Sequence, residues 1–341
     1  MTIADTTTDP RQPSLLEKKR NMRYPLQTML LLCGVATAAI AADYPDRPIR
    51  YIVPSAPGGG ADISARLLTT ELAQQLKQQF VIDNRPGSGG LIGVQLLAQS
   101  RPDGYTLGYG NMTYLAINST LFTSLPYDAD RDFTPIGQFT SGMNLLAVRN
   151  SLPVKSVQEL IAYARANPDK LSFASSGNGT TLHLSGELFK QMTGTRIVHV
   201  PYKSIAQGLT DMFAGQMDVI FDNQSSIAPH VSAGKVRGLA VTGPTRSKVF
   251  PDLPTMSEAG VPGYVITTWT AMIGPAGLPK PIVTKLNAEI ARACVAPKVQ
   301  AALASQGAVC ATGSPEQFAK FVKQERVKWG DIVKKSGAKI D

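Results

Sequence analysis

The chain predicts an α/β fold in two parts. Two observations predict it. Short β-rich runs alternate with runs of helical period along most of the chain. Two of the strand-to-helix junctions are also glycine turns of similar design, one in each half. The first is Ile52-Val53-Pro54-Ser55-Ala56-Pro57-Gly58-Gly59-Gly60-Ala61-Asp62. Ile49 to Val53 read as a strand, and Ala61, Ala65, Leu68, Leu72 and Leu76 recur at helical spacing. The glycines leave amide N–H groups uncovered by side chains. The first N–H groups of a helix lack internal partners and carry partial positive charge. Such a junction is a ready anion site, or else a plain tight turn. It is not a nucleotide motif. No Lys follows the glycines as a P-loop requires, and Gly87-Ser88-Gly89-Gly90-Leu91-Ile92 fails the dinucleotide fingerprint at its sixth position.

Taken in order, the chain opens with a polar, turn-rich leader. Lys18, Lys19, Arg20 and Arg23 then precede the apolar run Met29 to Ile40, which Ala39-Ile40-Ala41 closes. Basic, apolar, Ala-x-Ala is the layout of a secretory signal peptide, so export to the periplasm with cleavage after Ala41 is expected. Translation starts at Met1 or Met22. The net charge is +9, with the charges scattered and no dense basic run. This argues against nucleic acid and favours mild attraction of anionic solutes. Cys294 and Cys310 remain after cleavage, and in an exported chain they form a disulfide or stay as buried thiols.

Strands are predicted at Ile49–Val53, Phe80–Asp83, Tyr105–Tyr109, Leu145–Arg149, Leu171–Ala174, Arg196–Val200, Asp218–Phe221, Gly238–Val241 and Tyr264–Ile273. Helices are predicted at Val157–Asn167, Leu182–Thr193, Ala206–Ala214, Ile282–Cys294 and Pro315–Lys335, the last with Ser314 as N-cap. Thr140 to Asn144 interrupt the pattern, and so does Pro262-Gly263. The expected organisation is a leader and signal peptide over 1–41, one domain from 42–143 and 265–341, and a second from 144–264. Two α/β domains joined by a few strands across a cleft make a hinge geometry.

The second glycine junction follows Leu171 to Ala174. Ser175-Ser176-Gly177-Asn178-Gly179-Thr180-Thr181 leads into the helix at Leu182. Its hydroxyls and amides suit a carboxylate, and ligands in open α/β sheets bind beyond the carboxyl ends of strands. On its own it also reads as an ordinary loop with Thr180 or Thr181 as N-cap.

At this point the chain resembles the Bug family, extracytoplasmic solute receptors of the tripartite tricarboxylate transporter type. The resemblance rests on Tyr44-Pro45-x-Arg47-Pro48-Ile49-Arg50, Pro57-Gly58-Gly59-x-x-Asp62 and Asp83-Asn84-Arg85-Pro86-Gly87-x-Gly89-Gly90. Pro102-Asp103-Gly104-Tyr105-Thr106-Leu107, Val200-Pro201-Tyr202-Lys203 and Pro254-Thr255-Met256-x-Glu258-Ala259-Gly260 add to it. It implies a two-domain periplasmic binding protein, a Venus flytrap, each domain a mostly parallel sheet flanked by helices. It implies that the two loops grip a ligand carboxylate through Ser55, Ala56, Gly58, Gly59 and Asp62, and through Ser175, Ser176, Gly177, Gly179, Thr180 and Thr181. Tyr202 and Asp222 are further cleft candidates. Ser55 stands where the family often has an aromatic residue, and Ser204 replaces the glycine usual after Tyr-Lys.

Enzyme readings find little support. His183 and Glu187 lie four apart on one helix, but no third metal ligand is near in sequence. No serine loop has the nucleophile-elbow pattern. Trp269 is expected in the core. The leading reading is a receptor for a small organic carboxylate, aliphatic or aromatic, that closes on its ligand as a monomer and hands it to membrane transporter subunits. No cofactor, metal or nucleic acid is expected. The alternative partner is a sensor kinase, with the protein acting as a carboxylate sensor; a periplasmic enzyme is the third reading.

Overall fold

Ile49–Val53 forms β1, buried along nearly its whole length as its β-branched run predicts. The computed structural model describes Met1, Thr2 and residues 44–340. The signal peptide expected within residues 1–41 lies outside the described residues. β1 pairs in parallel with β2 (Phe80–Asn84) on one side and with β3 (Thr106–Asn111) on the other. Between β1 and β2 runs α1 (Gly60–Leu76), which buries Ala65, Leu68 and Leu72 at helical spacing. α2 (Leu91–Ala98) follows β2, and a π-helical turn leads from β3 into the short α3 (Asn118–Leu121).

The strand that organises the molecule is β4, Phe133–Arg149, seventeen residues long. Its first part, Phe133 to Met143, pairs antiparallel with β9 (Thr267–Pro275). From Asn144 onward it runs between β7 (Val219–Asn223) and β8 (Val236–Val241), again antiparallel. The polar stretch Thr140 to Asn144, which interrupts the sequence pattern, therefore does not end an element. The strand passes straight through and exchanges partners there. Its apolar run Leu145 to Val148 is completely buried, as a strand covered on both faces must be.

β5 (Ser172–Ser175) pairs in parallel with β6 (Val198–Pro201) and with β7. The sheet order is β2-β1-β3-β9-β4-β7-β5-β6, with β8 and the two-residue β10 (Val309–Cys310) added to β4. The parallel ladders expected from βα alternation lie at both ends, and the antiparallel ladders gather around β4 and β9. The sheet is thus mixed. Connecting helices are α4 (Val157–Ala166), α5 (Thr181–Thr193), α6 (Ile205–Phe213) and α7 (Gln224–Ser232).

The C-terminal part adds α8 (Lys280–Val295), α9 (Pro297–Ser305) and α10 (Pro315–Ser336). A disulfide joins Cys294 at the end of α8 to Cys310 on β10, so α9 is held in a closed loop. α10 starts in a capping box: the Ser314 hydroxyl accepts the Gln317 N–H, and the Gln317 side chain accepts the Ser314 N–H. Caps of this kind contribute about 1 kcal/mol. About two turns beyond Gln317, buried Glu325 accepts the indole N–H of Trp269 on β9 at 2.9 Å and that of Trp329 at 3.0 Å. Trp269 is therefore core, as expected, but its N–H needs a buried acceptor and α10 supplies it.

Candidate functional site

The N-terminus of α1 is built from the first glycine loop. Gly58 takes φ +78°, a left-handed conformation that favours glycine, and Gly59 stands extended at the N-cap with no side-chain cap. Buried Asp62 pins the loop from inside. Its carboxylate accepts the Gly58 N–H at 2.9 Å, the Arg66 Nε–H at 2.9 Å and the Asn84 amide at 3.0 Å. The same Asn84 amide donates to the Ser55 carbonyl at 3.1 Å. The Arg66 hydrogen bond leads the effects that hold the Asp62 carboxyl down at about 2. Asp62 is thus committed to shaping the loop. The opening amides of α1, uncapped by any side chain, are left for something outside it.

The second loop is held by two histidines. The Gly179 N–H donates to His183 Nδ1 at 3.1 Å, and Ser175 Oγ lies 2.7 Å from His199 Nε2. The two imidazoles stack with centroids 4.0 Å apart, and Phe173 stacks on His199 at 4.8 Å. Burial pushes the His183 pKa down; burial, then the neighbouring His183, takes His199 to about 3. Thr180 caps α5 by accepting the His183 N–H at 3.4 Å, and its own hydroxyl donates to the Gly177 carbonyl at 2.8 Å. Gly179, at φ +75°, packs so closely on Leu121 that a Cβ there would overlap its side chain.

These two helix starts and a third open onto one cleft of about 310 Å³. Gly60, Ala61 and Ser64 of α1 line it, as do Thr181 of α5 and Asn223, Gln224 and Ser225 at the start of α7. The floor comes from Thr268 to Thr270 on β9 and Thr140 on β4, the far wall from the α9–β10 turn. Thr140 Oγ1 and Thr270 Oγ1 lie 2.7 Å apart, with Ser64 Oγ 3.4 Å beyond. Among the described residues no charged side chain lines this cleft. A larger cavity of about 530 Å³ backs onto its far wall, but none of the three helix starts reaches it.

The sequence candidates fall into two groups. Of the second loop, Thr181 lines the cleft, while Ser175, Ser176, Gly177, Gly179 and Thr180 form the turn that sets up α5. Of the first loop, Ser55, Ala56, Gly58, Gly59 and Asp62 form the turn, and the next residues, Gly60 and Ala61, reach the cleft. Tyr202 donates its hydroxyl to Asp211 at 2.7 Å on a separate surface groove. Asp222 is fully buried behind the cleft; its Oδ1 accepts the Asn223 N–H at 2.7 Å, and burial raises its pKa to about 6. Gln224, Ser225, Thr268, Thr270 and Gln306 are cleft residues that the sequence reading did not single out. Gln224 follows β7 directly and opens α7, the same strand-to-helix junction as the two glycine loops without the glycines.

Comparison with known proteins fits this geometry. Residues 64–338 match the family model described as the tripartite tricarboxylate transporter family receptor. BugT of Bordetella pertussis is 36% identical over 308 residues, covering 90% of this chain and 94% of BugT. The structure of Rpa4515 of R. palustris with adipate is 39% identical, with a TM-score of 0.79 over 87% of this chain and 100% of its own. MatC from Rhodopseudomonas palustris with bound malate is 34% identical, with a TM-score of 0.74 over 85% of this chain and 100% of its own. The curled mixed sheet flanked by helices is the α/β architecture of these periplasmic binding proteins. The family is periplasmic, and the chain belongs to it: this is a solute-binding receptor of the tripartite tricarboxylate transporter type, not an enzyme.

Proposed function

We propose that the protein captures a small organic carboxylate in this cleft and delivers it to the membrane subunits of a tripartite transporter. The observation that carries the reading is the convergence of three helix N-termini on a cleft lined without charged side chains. Helix starts and hydroxyls supply fixed neutral donors for an anion, at little cost in side-chain entropy. The amides of Gly60 and Ala61 and the hydroxyl of Thr181 are the nearest donors, and the first glycine turn and the Ser175–Thr180 turn hold them in place. The adipate and malate seen in two relatives support this ligand class. Residues 42–143 with 265–341 act as one lobe and 144–264 as the other, hinged where β4 changes partners. Residues 1–41 direct export and are removed. A thermal-shift screen of mono-, di- and tricarboxylates, followed by calorimetry, tests the reading. A ligand at one hundred times its Kd stabilises by about 2.7 kcal/mol. Melting temperatures unmoved by every carboxylate, or moved equally by the matching methyl esters, would overturn it.

A further inference from the structure

We propose that His183 and His199 are positioning residues for the second ligand loop, and that protonation of His183 releases the loop and weakens ligand binding. The inference rests on the reading of the cleft as the carboxylate site.

The geometry makes His183 specific. A backbone N–H, that of Gly179, points at Nδ1 from 3.1 Å. Nδ1 accepts that bond only while it carries no proton. The neutral ring therefore has its hydrogen on Nε2, which faces Glu187 Oε1 at 3.9 Å. An imidazolium would set two donors against each other at Nδ1, and the Gly179 bond would be lost. Gly179 packs close against Leu121, and a shift of its N–H away from Nδ1 would carry the loop between Ser175 and Thr181 out of this packing. Thr181, which lines the cleft, follows directly.

His199 extends the arrangement. Its ring lies face to face with His183 at 4.0 Å, and its Nε2 meets Ser175 Oγ. The same Oγ accepts the Gly177 N–H at 3.1 Å. The two imidazoles thus hold the loop at both of its glycines. The charged groups facing this pair are few. Glu187 favours a proton on His183, but it is already engaged by Lys190 Nζ at 2.8 Å. Lys190, 5.8 Å from the centre of the Phe173 ring, opposes protonation of either ring. A proton on one histidine opposes a proton on the other. His183 is buried as well, which also favours the neutral ring. The loop is therefore set at neutral pH and comes undone on acidification.

The test uses the full chain and two variants. Asn in place of His183 keeps an acceptor for the Gly179 N–H but cannot be protonated; Leu removes the acceptor. The ligand-free readouts are ring ¹⁵N shifts of His183 and exchange protection of the Gly179 amide, corrected for intrinsic rate, at about pH 7.5 and about pH 4.5. In the wild type, protection should fall about tenfold or more at the lower pH. His183→Asn should hold it constant, and His183→Leu should have low protection at both. In a second arm, calorimetry with adipate and with malate compares wild type and His183→Asn at the same two pH values. Protonation of the acid itself affects both proteins alike, so a loss confined to the wild type is the expected result. Unchanged Gly179 protection in the wild type, or ring shifts showing a proton on Nδ1 at neutral pH, would overturn the assignment. If neither acid binds at any pH, the carboxylate reading fails for these two, while the exchange arm still decides the role of the histidines.

Discussion

Gln224 and Gly307 meet across the cleft with no space between them: a Cβ on residue 307 would overlap Nε2 of the Gln224 amide. Gly307 also takes φ +65°, so two constraints demand glycine there. Gln224 is 1% exposed, and neither its Oε1 nor its Nε2 has a partner among the described residues. The contact joins the start of α7 to the turn that closes α9. The contact keeps a polar group out of water.

Gly307→Ala should therefore destabilise the protein by about 1–3 kcal/mol, from the unfavourable φ and the forced shift of Gln224. The alanine would push the Gln224 side chain toward the cleft and weaken ligand binding. In a Gln224→Ala background only the backbone strain remains, so the cost should drop to about 1 kcal/mol. Urea unfolding of the four proteins in this cycle measures it. Strict additivity of the two substitutions would show that the contact carries no energy.

The extent to which the sequence revealed this site follows from its physics. Strands with a clean period, such as Ile49–Val53, and helix starts marked by glycine were readable because local pattern and final structure agree. The first half of β4 was not. Its register shifts between Pro135 and Gly137 and again between Gln138 and Thr140, and each irregularity breaks the two-residue alternation that identifies a strand. α7 was missed because Ser225, Ser226 and an internal Pro229 read as a turn, although tertiary packing keeps the segment helical. The roles of His183 and His199 depend on a stacking across β5, β6 and α5 that no local signal records.

The disulfide carries a second prediction. Cys294 and Cys310 are 16 residues apart and close the loop that contains α9 and the Gly307 turn. In the chain-entropy model a loop of this size stabilises by roughly 3 kcal/mol. Reduction should lower unfolding stability by that order and loosen the far wall of the cleft. Urea titrations with and without dithiothreitol check it; coincident curves, with the thiols shown to be free, would dismiss the contribution.

Asp222 gives a pH prediction of the opposite sign from most carboxylates. Burial raises its pKa from 3.8 to about 6. Between those values the folded protein holds a proton that the unfolded chain has lost, so its contribution to stability falls as pH rises through that window. Above about pH 6 a buried charge is carried, with Oδ2 unpartnered among the described residues. Asp222→Asn should then raise stability at about pH 7.5 by roughly 1–3 kcal/mol and change little near pH 4. Chemical unfolding at both pH values decides it. A loss of stability at neutral pH would mean that the carboxylate itself is needed there.

Asp62 shows the usual sign and bears on the site itself. The Arg66 hydrogen bond, with those from Gly58 and Asn84, lowers its pKa from 3.8 to about 2. Its contribution is complete above about pH 4 and is lost as pH falls toward 2, because the unfolded chain takes up its proton first. Wild type and Asp62→Ala should therefore differ in stability at neutral pH and converge in strong acid. The larger effect should be on binding. Without this carboxylate, Gly58 and Asn84 lose their common acceptor, and of these bonds only that from the Asn84 amide to the Ser55 carbonyl still ties the turn that presents the Gly60 and Ala61 amides. Affinity for the ligand found by the carboxylate screen should fall by about tenfold or more, as for the loss of a charge-assisted hydrogen bond. Asp62→Asn, which keeps one acceptor oxygen, should fall between the two. Calorimetry on the three proteins at neutral pH gives the order, and an Asp62→Ala affinity equal to wild type would show that the loop keeps its shape without the carboxylate.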